Sequence, residues 1–280
     1  MVCHETFRDK SGKWVEPQKV IRQDNEYFYK KNGSLEVLIR GRSEKMSKSK
    51  KNVIDPDIII KKFGADTARL FMISDSPPER DLEWSIEGIK ATYKYLKKIF
   101  DFLKNDFTFI LEVSDKEIKN FSEEEKKIFK ISQKTIFEYT DDIKNYRFNT
   151  AVAKLREYSN VLQKTSLNKT LKYYCWSIYL RLISIITPHY CEEIASHSGF
   201  DKFVSELDWP VIDKDYLKEE TVKMVVMING KKRGLIEVLS NTNQEKLIEI
   251  IDKEKNIFVS KKDKFKKIIF VKNKIINFVK

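Results

Sequence analysis

Apolar residues recur at helical spacing through the middle of the chain, between about residues 86 and 199. One apolar stripe starts after Trp84, a second after Ser122, a third at Asn149 and a fourth near Lys169. Residues three and four positions apart share one face of a helix, so each stripe predicts an amphipathic helix with its apolar side turned inward. Four such helices with short connections predict an antiparallel bundle.

Residues that favour helix ends occur beside these stripes. Ser122 and Glu125 have the spacing of a capping box, and residues 148–153 predict a cap followed by small, close-packed side chains. The most apolar helix is expected from about residue 169 to residue 187, where Pro188 stops or kinks it and a shorter helix follows. Four aromatic residues of this helix are expected in the core: Tyr173, Tyr174, Trp176 and Tyr179.

The first 44 residues show short extended stretches instead of helical spacing. Predicted strands are 1–7, 13–15 and 27–29. Asn32-Gly33 predicts a tight turn. Asp55 before Pro56 predicts a helix start, because proline at the first helical position loses no hydrogen bond. The helical pattern then continues from Asp57 to Ile73.

The last 60 residues or so combine strands with one helix. Residues 222–228 and 231–238 predict two strands joined by the turn pair Asn229-Gly230. Thr242 and Glu245 have capping-box spacing and predict the start of a helix. Two further predicted strands are 268–271 and 275–279. This region is therefore expected to be a small α/β module.

These patterns predict a mostly α chain in four parts. Residues 1–84 form the first part, 85–200 the helical bundle, 201–220 a polar linker and 221–280 the small α/β domain. A chain of 280 residues is long enough for about two domains, each with its own core.

Charge and cysteine content narrow the class of protein. The formal net charge is +12, which favours a polyanionic partner such as nucleic acid, although a general lysine bias would give the same balance. The three cysteines are far apart and form no C-x-x-C pair, so neither a disulfide framework nor a zinc site is predicted. With no signal peptide, and with Arg181 inside the most apolar run, a cytoplasmic location without a membrane span is expected.

The segment from Glu44 to Pro56 is the strongest candidate for chemistry. Its five residues Lys45, Met46, Ser47, Lys48 and Ser49 bring two cations and two hydroxyls together before a helix. Such a loop suits contact with phosphates whose charge is rearranging. A solvated loop is the plainer interpretation of these five residues alone.

The longer string resembles a known family. Residues 45–49 match the KMSKS loop of class I aminoacyl-tRNA synthetases, and the similarity continues through Asn52 to Pro56 and into residues 64–69. Together with residues 77–85, the 64–69 block resembles leucyl-tRNA synthetases more than their valyl, isoleucyl or methionyl relatives. Lys51 departs from the family, which usually has glycine at this position.

The resemblance implies a fold, substrates and residue roles. Residues 1–84 would be the end of a Rossmann-type class I catalytic domain with its KMSKS loop, followed by a tRNA-binding bundle of the anticodon-binding type and a small C-terminal domain. Lys48 would be the main cation on the triphosphate of ATP, assisted by Lys45, while Met46, Ser47 and Ser49 complete the ATP-binding loop. Mg²⁺ is implied by the ATP chemistry, with no metal ligand assigned to this chain.

Partners follow from the same resemblance. Leucine and ATP would be substrates and tRNA-Leu the macromolecular partner. In the tail, Lys231, Lys232 and Arg233 beside the Asn229-Gly230 turn would contact tRNA phosphates, although a solvated basic hairpin is an alternative.

Some class I features are not found in the sequence. It contains no βαβ unit, no glycine-rich phosphate loop and no H-x-G-H tetrapeptide. The first catalytic half is therefore expected to be missing, with Met1 at an internal position of the family, so that this chain alone is inactive or works with a separate chain. Two other interpretations stay open: a non-catalytic tRNA-binding protein derived from a synthetase, and part of a valyl- or isoleucyl-type enzyme.

Overall fold

The computed structural model describes residues 1–217, 221–240, 242–253 and 265–279. The chain divides into two compact units, Met1–Ile212 and Asp213–Lys280. The strands of the first unit are β1 (Val2–Arg8), β2 (Trp14–Val15), β3 (Val20–Gln23), β4 (Glu26–Lys31), β5 (Ser34–Val37), β6 (Ile39–Lys45) and β7 (Leu82–Glu83). Its helices are α1 (Pro56–Phe63), α2 (Ala65–Ser74), α3 (Ile86–Leu103), α4 (Asp115–Asn120), α5 (Glu123–Lys144), α6 (Phe148–Lys164), α7 (Lys169–Ile183) and α8 (Pro188–His197). Short 3₁₀ turns cover Pro17–Lys19 and Val204–Glu206.

Strand β1 is the centre of the larger sheet of this unit. It pairs antiparallel with β2 and β6 and parallel with β7. Beyond the strands proper, the N–H of Met46 donates to Val2 O (3.1 Å), that of Leu82 to Met1 O (2.7 Å) and that of Trp84 to Cys3 O (2.8 Å). The KMSKS segment and the 77–85 block are therefore both attached to the same strand.

A separate three-stranded sheet has the order β3-β4-β5. The predicted turn at Asn32-Gly33 joins β4 to β5, and both residues have positive φ angles, 50° and 88°. Directly after β1 the carboxylate of Asp9 accepts hydrogen bonds from Ser11 Oγ (2.6 Å), Ser11 N (2.9 Å) and Lys13 N (3.0 Å). These bonds hold the turn between β1 and β2.

The Asp9 carboxylate gives a pH-dependent contribution to stability. The hydrogen bond from the Ser11 hydroxyl, helped by two backbone N–H groups, lowers the pKa of Asp9 from 3.8 to about 2. A lowered folded pKa stabilises the fold above the unfolded pKa, and this contribution is lost as the pH falls through 3.8 towards 2. We expect Asp9→Asn to be less stable than the native chain at neutral pH, with a difference that shrinks over this range. Urea unfolding followed by tryptophan fluorescence measures it, and a difference independent of pH would contradict the assignment.

The predicted bundle is present, and its core is formed by the stripes that the sequence indicated. Ile89, Leu96, Ile136, Leu155 and Leu171 are all buried. Ser122 forms the predicted capping box with Glu125 at the start of α5. The aromatic residues of α7 are core residues as expected, with exposed fractions of 8% or less: Tyr173, Tyr174, Trp176 and Tyr179.

Several helix boundaries differ from the sequence prediction. The pattern from Asp57 to Ile73 is not one helix but two, because Gly64 adopts a φ of 83° that breaks the backbone between α1 and α2. Helix α6 begins at Phe148, and neither Asn149 nor any other side chain caps it. Helix α7 ends at Ile183, and Pro188 starts α8 instead of stopping α7. Helix α4, which carries its own capping box, was not predicted.

The segment 201–212, which is part of the predicted polar linker 201–220, makes several polar contacts with the bundle. Arg181 of α7 donates from Nε (3.1 Å) and Nη2 (2.8 Å) to Asp208 O. Trp209 Nε1 donates to Thr140 Oγ1 (2.9 Å), and the carboxylate of Glu192 accepts from the N–H groups of Val204 and Ser205. These polar contacts attach the segment to the bundle. The four-part division of the chain as a whole stays a prediction.

The second unit contains a four-stranded sheet and a helix. Its elements are a 3₁₀ turn (Lys214–Leu217), β8 (Thr221–Ile228), β9 (Lys231–Leu239), α9 (Gln244–Lys253), β10 (Lys267–Val271) and β11 (Ile275–Val279). The strand order is β10-β11-β8-β9, with β11 parallel to β8. Leu247 and Ile251 of α9 are fully buried in its core. The cap of α9 is Asn243, whose Oδ1 accepts from Lys246 N (3.0 Å), and not Thr242 as predicted.

Candidate functional site

The KMSKS segment forms a compact turn between β6 and α1. Asn52, only 1% exposed, lies inside this turn. Its Oδ1 accepts from Ser47 N (2.7 Å), while its Nδ2 lies within hydrogen-bond distance of three carbonyl oxygens. These are His4 O (3.2 Å), Glu44 O (3.1 Å) and Lys45 O (3.4 Å). One buried amide therefore joins both ends of the turn to strand β1.

This arrangement leaves the cations at the surface. Lys45 and Lys48 are exposed, whereas Met46 and Ser47 are half-buried. The hydroxyls of Ser47 and Ser49 lie 2.8 Å apart and hydrogen-bond each other. The turn thus exposes the side chains of Lys45 and Lys48, while the hydrogen bonds of Asn52 hold its backbone.

The charges of the turn are not equivalent. Lys50 forms an ion pair with Glu44, so its charge is compensated locally. Within the part of the chain that the structure describes, Lys45 and Lys48 have no carboxylate partner. Lys45 and Lys48 are therefore among the groups of the turn that are available for an anionic ligand.

Lys51, at the position where the resemblance implies glycine, has a backbone conformation that favours glycine. Its φ angle is 51°, in the left-handed region that side chains with a Cβ disfavour. We expect Lys51→Val to destabilise the chain by about 1 kcal/mol relative to Lys51→Gly, because a β-branched side chain is the most strained in this conformation. Urea unfolding of the two variants measures the difference, and equal midpoints would contradict the strain.

The helices behind the turn are fixed by two aspartates. Asp55 caps α1, its side chain accepting from Asp57 N (3.0 Å), as the sequence predicted. The buried Asp66 of α2 accepts from Arg69 Nη1 (2.6 Å) and, across the bundle, from Tyr190 N (2.7 Å) at the start of α8. Asp66 therefore caps α8, although the two are more than 120 residues apart in the sequence.

A cleft of about 940 Å³ lies next to the turn. It is lined by apolar residues of β1, α1 and the start of α3 and by the ion pair of Arg40 with Glu5. His4 and Asp55 belong to this lining, but none of the five residues 45–49 does. The loop lysines therefore lie beside this cleft without lining it.

In the second unit the three predicted cations lie next to the hairpin turn. Asn229 and Gly230 have φ angles of 48° and 75°, and Asn277 Oδ1 accepts from Gly230 N (3.0 Å). The strand register shifts so that Val226 pairs with Gly234 and Met227 with Lys232, leaving Arg233 in a bulge. The bulge breaks the alternation of β9, and all three cations are exposed: Lys231, Lys232 and Arg233.

The described residues contain no cluster of three or more histidine, cysteine or acidic side chains that could hold a metal ion. The same part of the chain contains no helix that is long and apolar enough to cross a bilayer. Sequence reasoning missed the roles of Asn52 and Asp66, although both residues belong to the motifs that carry the resemblance. Their partners on β1 and α8, His4 and Tyr190, are far away in the sequence and leave no local signal.

Comparison with known proteins agrees with the site. The family model of class I tRNA synthetases (I, L, M and V) matches residues 25–85, and that of the anticodon-binding domain of tRNA ligases matches residues 125–250. In solved structures, the chain resembles the LeuRS of Agrobacterium radiobacter K84 (agnB2), described as a ternary complex with tRNA and LeuAMS. That match has a TM-score of 0.71 at 25% identity and covers 84% of this chain and 30% of that one.

Curated relatives match over the full length of this chain. The leucine–tRNA ligase of Orientia tsutsugamushi is 38% identical over 285 positions, and that of Rickettsia canadensis is 35% identical over 290. Both alignments cover 100% of this chain and 33% of the relative, so the chain spans about a third of the relatives' length. Along its whole length the chain is therefore homologous to one third of the leucine–tRNA ligases, and its residues 25–85 match the model of class I tRNA synthetases.

Proposed function

We propose that this chain contributes the KMSKS loop and the tRNA-contacting bundle and tail of a leucine–tRNA ligase. The observation that carries the proposal is the turn clamped by Asn52, which presents Lys45 and Lys48 without carboxylate partners in a homologue of these enzymes. In this proposal, residues 1–84 are the end of the catalytic domain, residues 85–200 the tRNA-contacting bundle and residues 221–280 the C-terminal domain.

The proposed reaction has two steps. The carboxylate of leucine attacks the α-phosphorus of ATP and pyrophosphate leaves; the aminoacyl group then moves to the terminal ribose of tRNA-Leu. No covalent bond to the protein is needed in the first step, so the protein acts by positioning groups and balancing negative charge. Lys48 would contact the triphosphate as charge moves to the leaving pyrophosphate, with Lys45 assisting.

The other loop residues have supporting roles in this proposal. Ser47 and Ser49 keep the turn in shape through their mutual hydrogen bond, and Met46 connects the loop to β1. Mg²⁺ would neutralise phosphate charge together with ATP, but the described residues offer no cluster to hold it, and we assign no metal ligand to this chain. We also propose that the protein acts in the cytoplasm.

The tail would bind tRNA through phosphates. Lys231, Lys232 and Arg233 are exposed around a turn that Asn277 braces, so backbone and cations are presented together. Contacts of this kind position an RNA without reading its sequence.

A salt-series binding titration tests the proposed function. The chain is titrated with transcripts of leucine, valine and methionine tRNAs at increasing salt concentration. Preferential binding of the leucine tRNA that weakens steeply with salt is expected, because each phosphate contact releases counterions. Equal binding of all three tRNAs would contradict the leucine assignment, and no binding would contradict the tRNA-contacting role.

A chimeric enzyme tests the catalytic role. This chain replaces the matching third of the Orientia tsutsugamushi ligase, and leucine-dependent exchange of pyrophosphate into ATP is measured. Activity is expected because the two sequences are 38% identical over this region. If a folded chimera bound tRNA but formed no adenylate, a tRNA-binding protein that has lost catalysis would be the better description.

A further inference from the structure

A groove on the first unit is formed where three helices meet the end of α1. We call it the α3 groove and define it by Phe63, Tyr93, Leu96, Phe100, His189 and Tyr190. Its cavity volume is about 560 Å³, within the range of sites that hold small organic ligands. None of the loop residues 45–49 lines it.

The walls of the groove are held by specific contacts. Tyr190 OH donates to Leu96 O (3.1 Å), which joins α8 to α3. Asp66 accepts from Tyr190 N (2.7 Å) and lies 3.2 Å from His189 Nδ1, so the start of α8 is fixed as well. The groove is therefore preformed, because hydrogen bonds fix the helices that form its walls.

The floor and one wall are aromatic. Tyr93 and Phe63 meet edge to face with ring centroids 5.8 Å apart, and Phe100 packs against Tyr190 at 6.4 Å. Tyr93 is nevertheless 39% exposed in the middle of α3. An exposed ring held by a second ring can stack on a planar ligand with little further loss of side-chain freedom.

The rim of the groove is cationic. Lys62 Nζ lies 5.5 Å from the centroid of the Phe63 ring, and Lys97 lines the groove directly. Lys97 and Lys104 share the single carboxylate of Asp101, which leaves this group of three with a net positive charge. The negative charge of Asp66 within the groove is offset by Arg69.

Helix α3 extends this positive surface. Lys90 and Lys94 flank Tyr93 on the exposed side of α3 and have no carboxylate partner among the residues described. Residues three and four apart on a helix are about 5–6 Å apart, which is close to the separation of consecutive phosphates along an RNA strand. Aromatic rings bordered by a row of lysines are the arrangement that binds unstacked nucleotides.

We propose that the α3 groove binds one unstacked nucleotide of an RNA, its base stacked on Tyr93 and its flanking phosphates beside the lysines of α3. The inference rests on the proposed function, because it takes the RNA to be the tRNA of that reaction. It goes further by assigning a site and a binding mode to residues other than those of the KMSKS loop and the basic hairpin.

The test compares the full chain with variants in binding to the leucine tRNA transcript. Tyr93→Leu keeps an apolar side chain and a good helix former but removes the aromatic face, and it should weaken binding by roughly 5- to 150-fold. Tyr93→Phe should bind nearly as well as the native chain. Lys94→Ala should weaken binding and reduce the salt slope by about one, whereas Tyr93→Leu should leave the slope unchanged.

Phe137→Leu is the matched control, because Phe137 is also an exposed aromatic residue within a helix of the same unit, at 50% exposure. Equal losses of tRNA affinity for Phe137→Leu and Tyr93→Leu, or no loss for Tyr93→Leu, would overturn the proposed nucleotide site. The proposed function would still stand in that case if the native chain bound leucine tRNA preferentially. Failure of the native chain to bind any tRNA would overturn both. Thermal unfolding of each variant confirms that it is folded.

Discussion

Replacing Lys48 by alanine is expected to slow adenylate formation by about 10²–10³-fold in the chimeric enzyme, corresponding to about 3 kcal/mol of transition-state stabilisation. Lys48 is exposed and has no carboxylate partner in the described structure, while the backbone of its turn is fixed by Asn52. A cation presented in this way needs no rearrangement when charge develops on the leaving pyrophosphate. Leucine affinity should change little, because the proposed contact is to phosphate.

Lys50→Ala is the matched control for this prediction. It removes one lysine charge from the same turn, but Lys50 is already paired with Glu44. Its rate of pyrophosphate exchange should therefore stay close to that of the parent chimera. Equal losses for the two variants would mean that the rate depends on the overall charge of the loop, and the specific role of Lys48 would be wrong.

Replacing Asn52 should have the second large effect, this time on stability. Asn52→Ala removes the partner of Ser47 N and of the carbonyls near Nδ2, which should cost about 2–3 kcal/mol because Asn52 is buried and these backbone groups are partly buried. Asn52→Asp should cost more. A carboxylate still accepts from Ser47 N, but it cannot donate and places a negative charge against the carbonyls of His4 and Glu44.

Urea unfolding followed by tryptophan fluorescence measures both variants. All four tryptophans lie within residues 1–212, so the signal reports the first unit alone. Asn120→Ala, at an exposed position at the end of α4, should change the free energy of unfolding by less than about 0.5 kcal/mol. The buried clamp would be contradicted by an Asn52→Asp variant as stable as the native chain.

The bundle could be predicted from the sequence because the buried face of a helix requires apolar residues at helical spacing. Most residues of the apolar stripes of α3, α5, α6 and α7 lie in the core, among them Ile89, Ile136 and Leu155. Gly64 was passed over because the apolar pattern runs through it without interruption, and only its positive φ separates α1 from α2. The six residues of α4 are too few to show a period, although Ser114 and Glu117 carry capping-box spacing.

The site was predicted only as far as its motif reaches. Lys45 to Ser49 could be identified from their types and order, and the structure places them in one clamped turn. The role of Asn52 depends on His4 O, 48 residues away, and that of Asp66 on Tyr190 N, 124 residues away. Contacts over such separations form only in the folded chain, and no local pattern encodes them.

Strand β1 is hydrogen-bonded to both the KMSKS segment and the 77–85 block, so the two segments are expected to open together. Met46 at the loop and Leu82 and Trp84 in the 77–85 block all donate their N–H groups to carbonyls of residues 1–3. A local opening that frees this strand releases all three amides at once, so their hydrogens would exchange with solvent with a common opening free energy. Loosening at the 77–85 block would therefore also loosen the KMSKS segment through the strand that both share.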